Sequence, residues 1–95
     1  MKTHYLKTVK PFFRKVWNGI KLFECRINDR DFQENDIVYL QDFDPTNQFF
    51  SGAEIKVRIT YLLKDFPGIE ENHCVFSFEI LDRVIMNEDL KGPVL

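Results

Sequence analysis

Apolar and polar residues alternate through several stretches of this chain and follow helical spacing in one. Ile55, Val57, Ile59, Tyr61 and Leu63 alternate with Glu54, Lys56, Arg58 and Thr60, which predicts a strand over 54–63. Cys74, Phe76, Phe78 and Ile80 alternate with Val75, Ser77 and Glu79, predicting a strand over 74–80. Lys21 to Ile27 reads as a strand with Phe23, Cys25 and Ile27 on one face and Glu24 and Arg26 on the other. Further strands are predicted from His4 to Val9 and from Asp36 to Phe43. Between the first two strands, Phe12, Phe13, Val16 and Trp17 follow i, i+3, i+4 spacing, the mark of a helix. Pro11 suits its first position and Gly19 its end.

Polar turns separate these elements at Asn28-Asp29-Arg30-Asp31, Asp44-Pro45-Thr46-Asn47 and Asp65-Phe66-Pro67-Gly68. The stretch from Leu81 to Leu95 is mixed, and Gly92-Pro93 would end any helix there. It reads as a C-terminal extension to a core over roughly 4–80. The expected fold is mainly β (α+β). It is a small, mostly antiparallel barrel of about five strands with one short N-terminal helix packed against it. The pattern does not decide whether the barrel closes.

At 95 residues the chain makes a single domain, because a second would be too small to bury a core. Ten phenylalanines supply core material. No stretch approaches the ~20 apolar residues of a membrane helix. No long apolar run follows the charges of Met1 to Lys10, so neither a signal peptide nor a membrane partner is expected, and the expected compartment is the cytoplasm. Cys25 and Cys74 sit among apolar residues and read as buried, reduced thiols. His73-Cys74 alone lacks the closely spaced partners of a zinc site, so no metal and no cofactor are expected.

Charge is unevenly distributed. Residues 1–30 hold eight Lys/Arg against two Asp/Glu, while residues 31–95 hold five against thirteen. The basic first third offers phosphate a landing place. The acidic remainder would repel a long polyanion, which favours a nucleotide or a short single strand over duplex DNA.

The densest candidate chemistry lies in Gly19-Ile20-Lys21-Leu22-Phe23-Glu24-Cys25-Arg26, followed by Asn28-Asp29-Arg30-Asp31-Phe32. Arg26 can hold phosphate or carboxylate in a bidentate fork. Glu24 shares its face and can accept from a base edge, orient Arg26, or simply form a structural ion pair. Lys21 has the opposite strand parity. It joins them only if it lies in the turn after Gly19, before the pleat begins. Asp29, Arg30 and Asp31 can close over a ligand or form a turn. His4 can act at a cleft edge or be structural, and His73 reads as exposed. Phe12 and Trp17 can stack on a base or serve the core. Glu79 can point into the same cleft as Glu24.

This run resembles the ASCH-type signature, a helix followed by Gly-x-Lys and then Glu-x-Arg on the next strand. More closely, the chain is similar to a small bacterial and phage family of unknown function within the ASCH/PUA-like group. The resemblance takes in His4-x-Leu6-Lys7, Phe13, Gly19-x-Lys21-x-Phe23-Glu24-x-Arg26, the stretch Asn28 to Phe32 and the strand entered at Asp36. It extends less specifically through Thr60-Tyr61-Leu62-Leu63 and the last strand, and covers roughly 4–80. Asn35 stands where the family typically has Gly, and Asn tolerates the left-handed backbone such a turn needs. Ser51-Gly52-Ala53 stands where relatives carry a Thr-Gly-Arg-like step, without its cation.

The resemblance implies a PUA-like barrel with a cleft between helix and sheet, lined by Lys21, Glu24 and Arg26. Asn28, Asp29, Arg30, His4 and Lys7 join them as candidate ligand-binding residues. The expected partner is RNA or a nucleotide. A second reading is a small amidohydrolase acting on an acylated nucleoside, with Lys21 or Glu24 as nucleophile or base. A third is a phage-type accessory protein acting through a protein partner. The sequence leaves open whether the protein is an enzyme.

Overall fold

A computed structural model describes residues 1–85 of the chain. The elements run β1 (Thr3–Thr8), α1 (Phe12–Trp17), β2 (Phe23–Ile27), β3 (Ile37–Asp44), β4 (Phe49–Leu63) and β5 (His73–Ile85). All the strands form one sheet, ordered β1-β3-β4-β5-β2. β1 runs parallel to β3, and every other pairing is antiparallel. The sheet curls into a half-barrel, so the predicted mainly β architecture with one early helix is the one observed.

The two long strands curl because they are bulged. The β4–β5 register shifts between Lys56 and Val57 and again between Ile59 and Tyr61, and the β3–β4 register shifts between Gln41 and Phe43. An extra residue on one side of a ladder bends the strand and increases its twist. The inner face carries Val38 and Leu40 of β3, Ala53, Ile55, Val57 and Ile59 of β4, and Cys74, Phe76 and Phe78 of β5. Phe13 and Val16 of α1 close one end of this core. Phe32, from the loop after β2, enters it between His4 (4.7 Å) and Phe76 (5.1 Å).

β5 runs on to Ile85, which pairs with Ala53. Residues 81–85, read from the sequence as the start of an extension, therefore belong to the sheet. The remaining part of that expected extension, 86–95, lies outside the described residues. β2 begins at Phe23, not Lys21, and Pro11 is the cap before α1, not its first residue.

Candidate functional site

The edge strands of the sheet, β1 and β2, face each other across the open seam of the half-barrel. β2 is the strand whose faces depart from expectation. Its apolar residues point outward: Phe23 is 50% exposed, Ile27 is 56% exposed, and Cys25 is exposed rather than buried. Its charged positions point inward, and Glu24 is only 4% exposed. Alternation tells which residues share a face, not which face meets the core. Cys74 is buried as expected, and burial pushes its thiol pKa up.

Burying Glu24 is tolerable because both its oxygens are paired. Lys21 Nζ donates to Glu24 Oε2 at 2.5 Å and to the Phe23 carbonyl at 2.7 Å, and Arg26 Nε donates to Glu24 Oε1 at 2.9 Å. Arg26 Nη2 then reaches across the seam to the Lys7 carbonyl (2.9 Å) and Thr8 Oγ1 (3.4 Å).

The helix end places Lys21. Gly19 has φ +74°, a left-handed position that glycine occupies without strain. Its N–H donates to the Val16 carbonyl, while the Ile20 and Lys21 N–H groups both donate to that of Lys15, forming a Schellman turn. The chain thus turns before β2 begins, and Lys21 meets Glu24 from outside the pleat.

Lys7, Thr8, Val9, Phe12, Lys21, Phe23, Glu24 and Arg26 line an open groove of about 420 Å³. Lys21 Nζ lies 4.9 Å from the Phe23 ring centroid and 5.8 Å from that of Phe12. Both rings are half exposed. Glu24 spends its two oxygens on cations, so it orients donors and does not offer itself to a base edge. Lys21 keeps one further N–H, and Arg26 Nη1 has no partner among the described residues. Lys7 borders the groove, its ammonium resting 4.6 Å from the Phe43 ring centroid. The Lys21 and Arg26 donors suit the groove to an anion beside a flat apolar group.

The other candidates lie elsewhere. Arg26 also borders a second concavity along the seam, with Asp29, Arg30 and His73. There Arg30 Nη1 donates to the Tyr5 carbonyl at 2.7 Å, a second guanidinium spanning the seam. Asn28 Oδ1 accepts from the Phe32 N–H, which fixes the turn that buries Phe32. Asp29, Arg30 and Asn28 therefore build the seam's other half and do not meet Glu24.

His4 is not at the groove. It is 6% exposed, and its Nε2 lies 2.8 Å from Asp36 Oδ2. Asp36 also accepts from the Lys2 and Gln33 N–H groups. Burial works to raise its carboxyl pKa, yet those backbone bonds and His4 together hold it below the ordinary value. Asn35 takes φ +76°, the left-handed turn anticipated for it, and its Oδ1 accepts from Arg58 at 2.9 Å. Glu79 faces outward and pairs with Arg58 at 2.8 Å, so it does not reach the cleft. Trp17 packs partly against the core.

Sequence reasoning missed Asp42. It is 5% exposed on the inner face of β3, where Val38 and Leu40 precede it at two-residue spacing. That spacing was the available signal.

Among the described residues no helix is long and apolar enough to cross a membrane. Residues 3–78 match the profile of the family described as Domain of unknown function (DUF3850). The chain belongs to that family. No curated protein matches it.

Proposed function

We propose that this DUF3850 member binds the phosphate-bearing part of a nucleotide or a short RNA strand in the groove between α1 and the β1–β2 seam. The observation that carries this reading is the convergence of Lys21 and Arg26 on buried Glu24 beneath two half-exposed phenylalanines. A carboxylate shared by two cations fixes their positions before any ligand arrives, so little ordering is needed on binding. Phe12 and Phe23 offer faces on which a base can stack. The similarity of the Gly19-to-Arg26 run to ASCH/PUA-like domains supports the same reading, as does the basic first third of the chain.

The test is fluorescence anisotropy of short labelled RNAs, with nucleoside monophosphates as competitors, at several salt concentrations. Affinity should fall with salt, at a logarithmic slope of about −0.7 for each phosphate neutralised on a single strand. Arg26→Gln and Lys7→Gln should both weaken binding, and Lys7 does so without touching the seam's side-chain bonds. Tight binding that ignores both salt and these substitutions would overturn the reading. Hydrolysis of an acylated nucleoside that is lost in Lys21→Ala would replace it with amide cleavage.

A further inference from the structure

We propose a second ligand site on the opposite side of α1, a pocket built on Asp42 that takes the amino–imino edge of a guanine nucleotide. It goes beyond the groove reading and does not rest on it.

The helix divides the two sites. Phe12 faces the groove, whereas Phe13, Arg14, Trp17 and Asn18 lie on the other side of a 3.6-residue turn. Those four residues, with Lys10 and Asp42, enclose a cavity of about 240 Å³. Asp42 also borders the two concavities beside it.

Asp42 differs from the other buried carboxylates. Glu24 is held by two cations and Asp36 by three N–H donors. Asp42 receives one hydroxyl, Ser51 Oγ donating to Oδ2 at 2.8 Å. It forms no ion pair among the described residues, and no described group donates to Oδ1. A carboxylate buried to this degree ordinarily gathers several donors. Its place is set by the β3 bulge between Gln41 and Phe43, which leaves Asp42 out of the β4 ladder while its pleat still turns inward beside Thr8, its β1 partner.

The surroundings select the donor. Lys10 and Arg14 at the mouth are exposed. They would repel an amine or guanidinium ligand and attract an anionic one. Trp17 and Phe13, with centroids 5.9 Å apart, give an aromatic wall. A neutral, planar head with two adjacent N–H donors and an anionic tail satisfies all three conditions. Guanine presents N1–H and N2–H to the two Asp42 oxygens, and its 5′-phosphate meets Lys10 and Arg14. Adenine and cytosine lack that paired donor edge. The cavity is smaller than most drug-sized pockets, which suits one base.

The experiment is an amide-resolved NMR titration of the full chain with GMP, AMP, CMP and XMP. GMP should shift the amides of residues 10, 12–18 and 41–43 and bind about tenfold or more tightly than AMP, the discrimination of one bidentate pair. Asp42→Asn should reverse preference toward XMP, because an amide N–H can meet the xanthine C2 carbonyl while its oxygen still accepts N1–H. A purely structural role for Asp42 would not change base preference. Should Asp42→Asn fail to fold, Arg14→Gln decides: with Lys10 still facing the phosphate, it should narrow the gap in affinity between GMP and guanosine. Equal affinity for the bases, shifts confined to Lys7, Lys21 and Arg26, or a GMP preference untouched by the substitutions would each overturn the proposal.

Discussion

Arg26 of β2 donates through Nη2 to the backbone carbonyl of Lys7 on β1 at 2.9 Å. A side chain thus joins the two edge strands at a point where a closed barrel would have a backbone ladder. The same guanidinium holds Glu24 through Nε, so the joint and the candidate site share one residue. Two residues before Lys7, the Tyr5 carbonyl accepts from Arg30. Edge-strand carbonyls on the same side of β1 are met one after the other by arginines.

Arg26→Ala should therefore loosen the seam as well as the site. A charge-assisted bond of this type contributes about 1.5–3 kcal/mol where it is shielded. Arg26 is about a quarter exposed, so a loss of about 1–2 kcal/mol is expected. Denaturant unfolding measures it, and hydrogen exchange should show the β1 amides losing protection before those of β4.

Phe23 and Phe76 offer a contrast of burial. Phe76 is 0% exposed and Phe23 is 50% exposed. Phe76→Ala should cost about 3–5 kcal/mol through lost transfer energy and the cavity left behind. Phe23→Ala should change stability by under about 1 kcal/mol while weakening nucleotide binding in the groove. Thermal melts alongside anisotropy separate the two effects.

Asp36 makes stability depend on pH at the acid end. Its carboxyl pKa is lowered in the folded state, so the unfolded chain takes up the proton first as pH falls. The stabilisation is complete above the ordinary carboxylate value of about 4 and is lost as pH drops through the lower folded value. Asp36→Asn should flatten that part of the stability–pH curve, measured by urea midpoints between roughly pH 2 and 6. It should also lower stability at neutral pH, by about 2–4 kcal/mol.

Asn35 carries a left-handed turn at φ +76°. Asn35→Gly should change stability little, because glycine relieves the backbone while the bond to Arg58 is lost. Asn35→Ala loses both, and a cost of about 1–2 kcal/mol is expected from denaturant midpoints.

The two cysteines should react differently. Cys25 is exposed and Cys74 is 0% exposed. A thiol reagent added to folded protein should modify one equivalent rapidly, at Cys25 by peptide mapping. Cys74 should react only after denaturant is added.

The alternation was legible from Ala53 to Ile59 of β4 and from Cys74 to Phe78 of β5, where one face is buried and period two in the sequence maps onto inside and outside. Past the register shift between Ile59 and Tyr61 the parity changes, so Tyr61, expected on the same face as Ile59, is 58% exposed while Leu62 packs against the core. The same rule misled at β2, whose apolar residues lie on the outer face. As an edge strand that among the described residues pairs with β5 alone, it turns its polar face toward the seam, and pairing register is not written in a single strand's pattern. Lys21 was placed conditionally, and the Gly19 turn meets the condition. His4 and Asp42 could not be separated by reading along the chain. Each is a polar residue on an inward face, but Asp36 completes His4's needs and among the described residues only a hydroxyl meets those of Asp42.

By itself the sequence determined local geometry: which residues alternate, where glycine and asparagine permit a reversed backbone, and which charges lie close together in the chain. Tertiary structure alone decided that β2 faces its charges inward, that Arg26 reaches Lys7 and that Phe32 fills the core. Local torsions follow from steric preferences within a few residues. Facing and partnership depend on contacts between strands distant in sequence, where burial and paired charges are settled together.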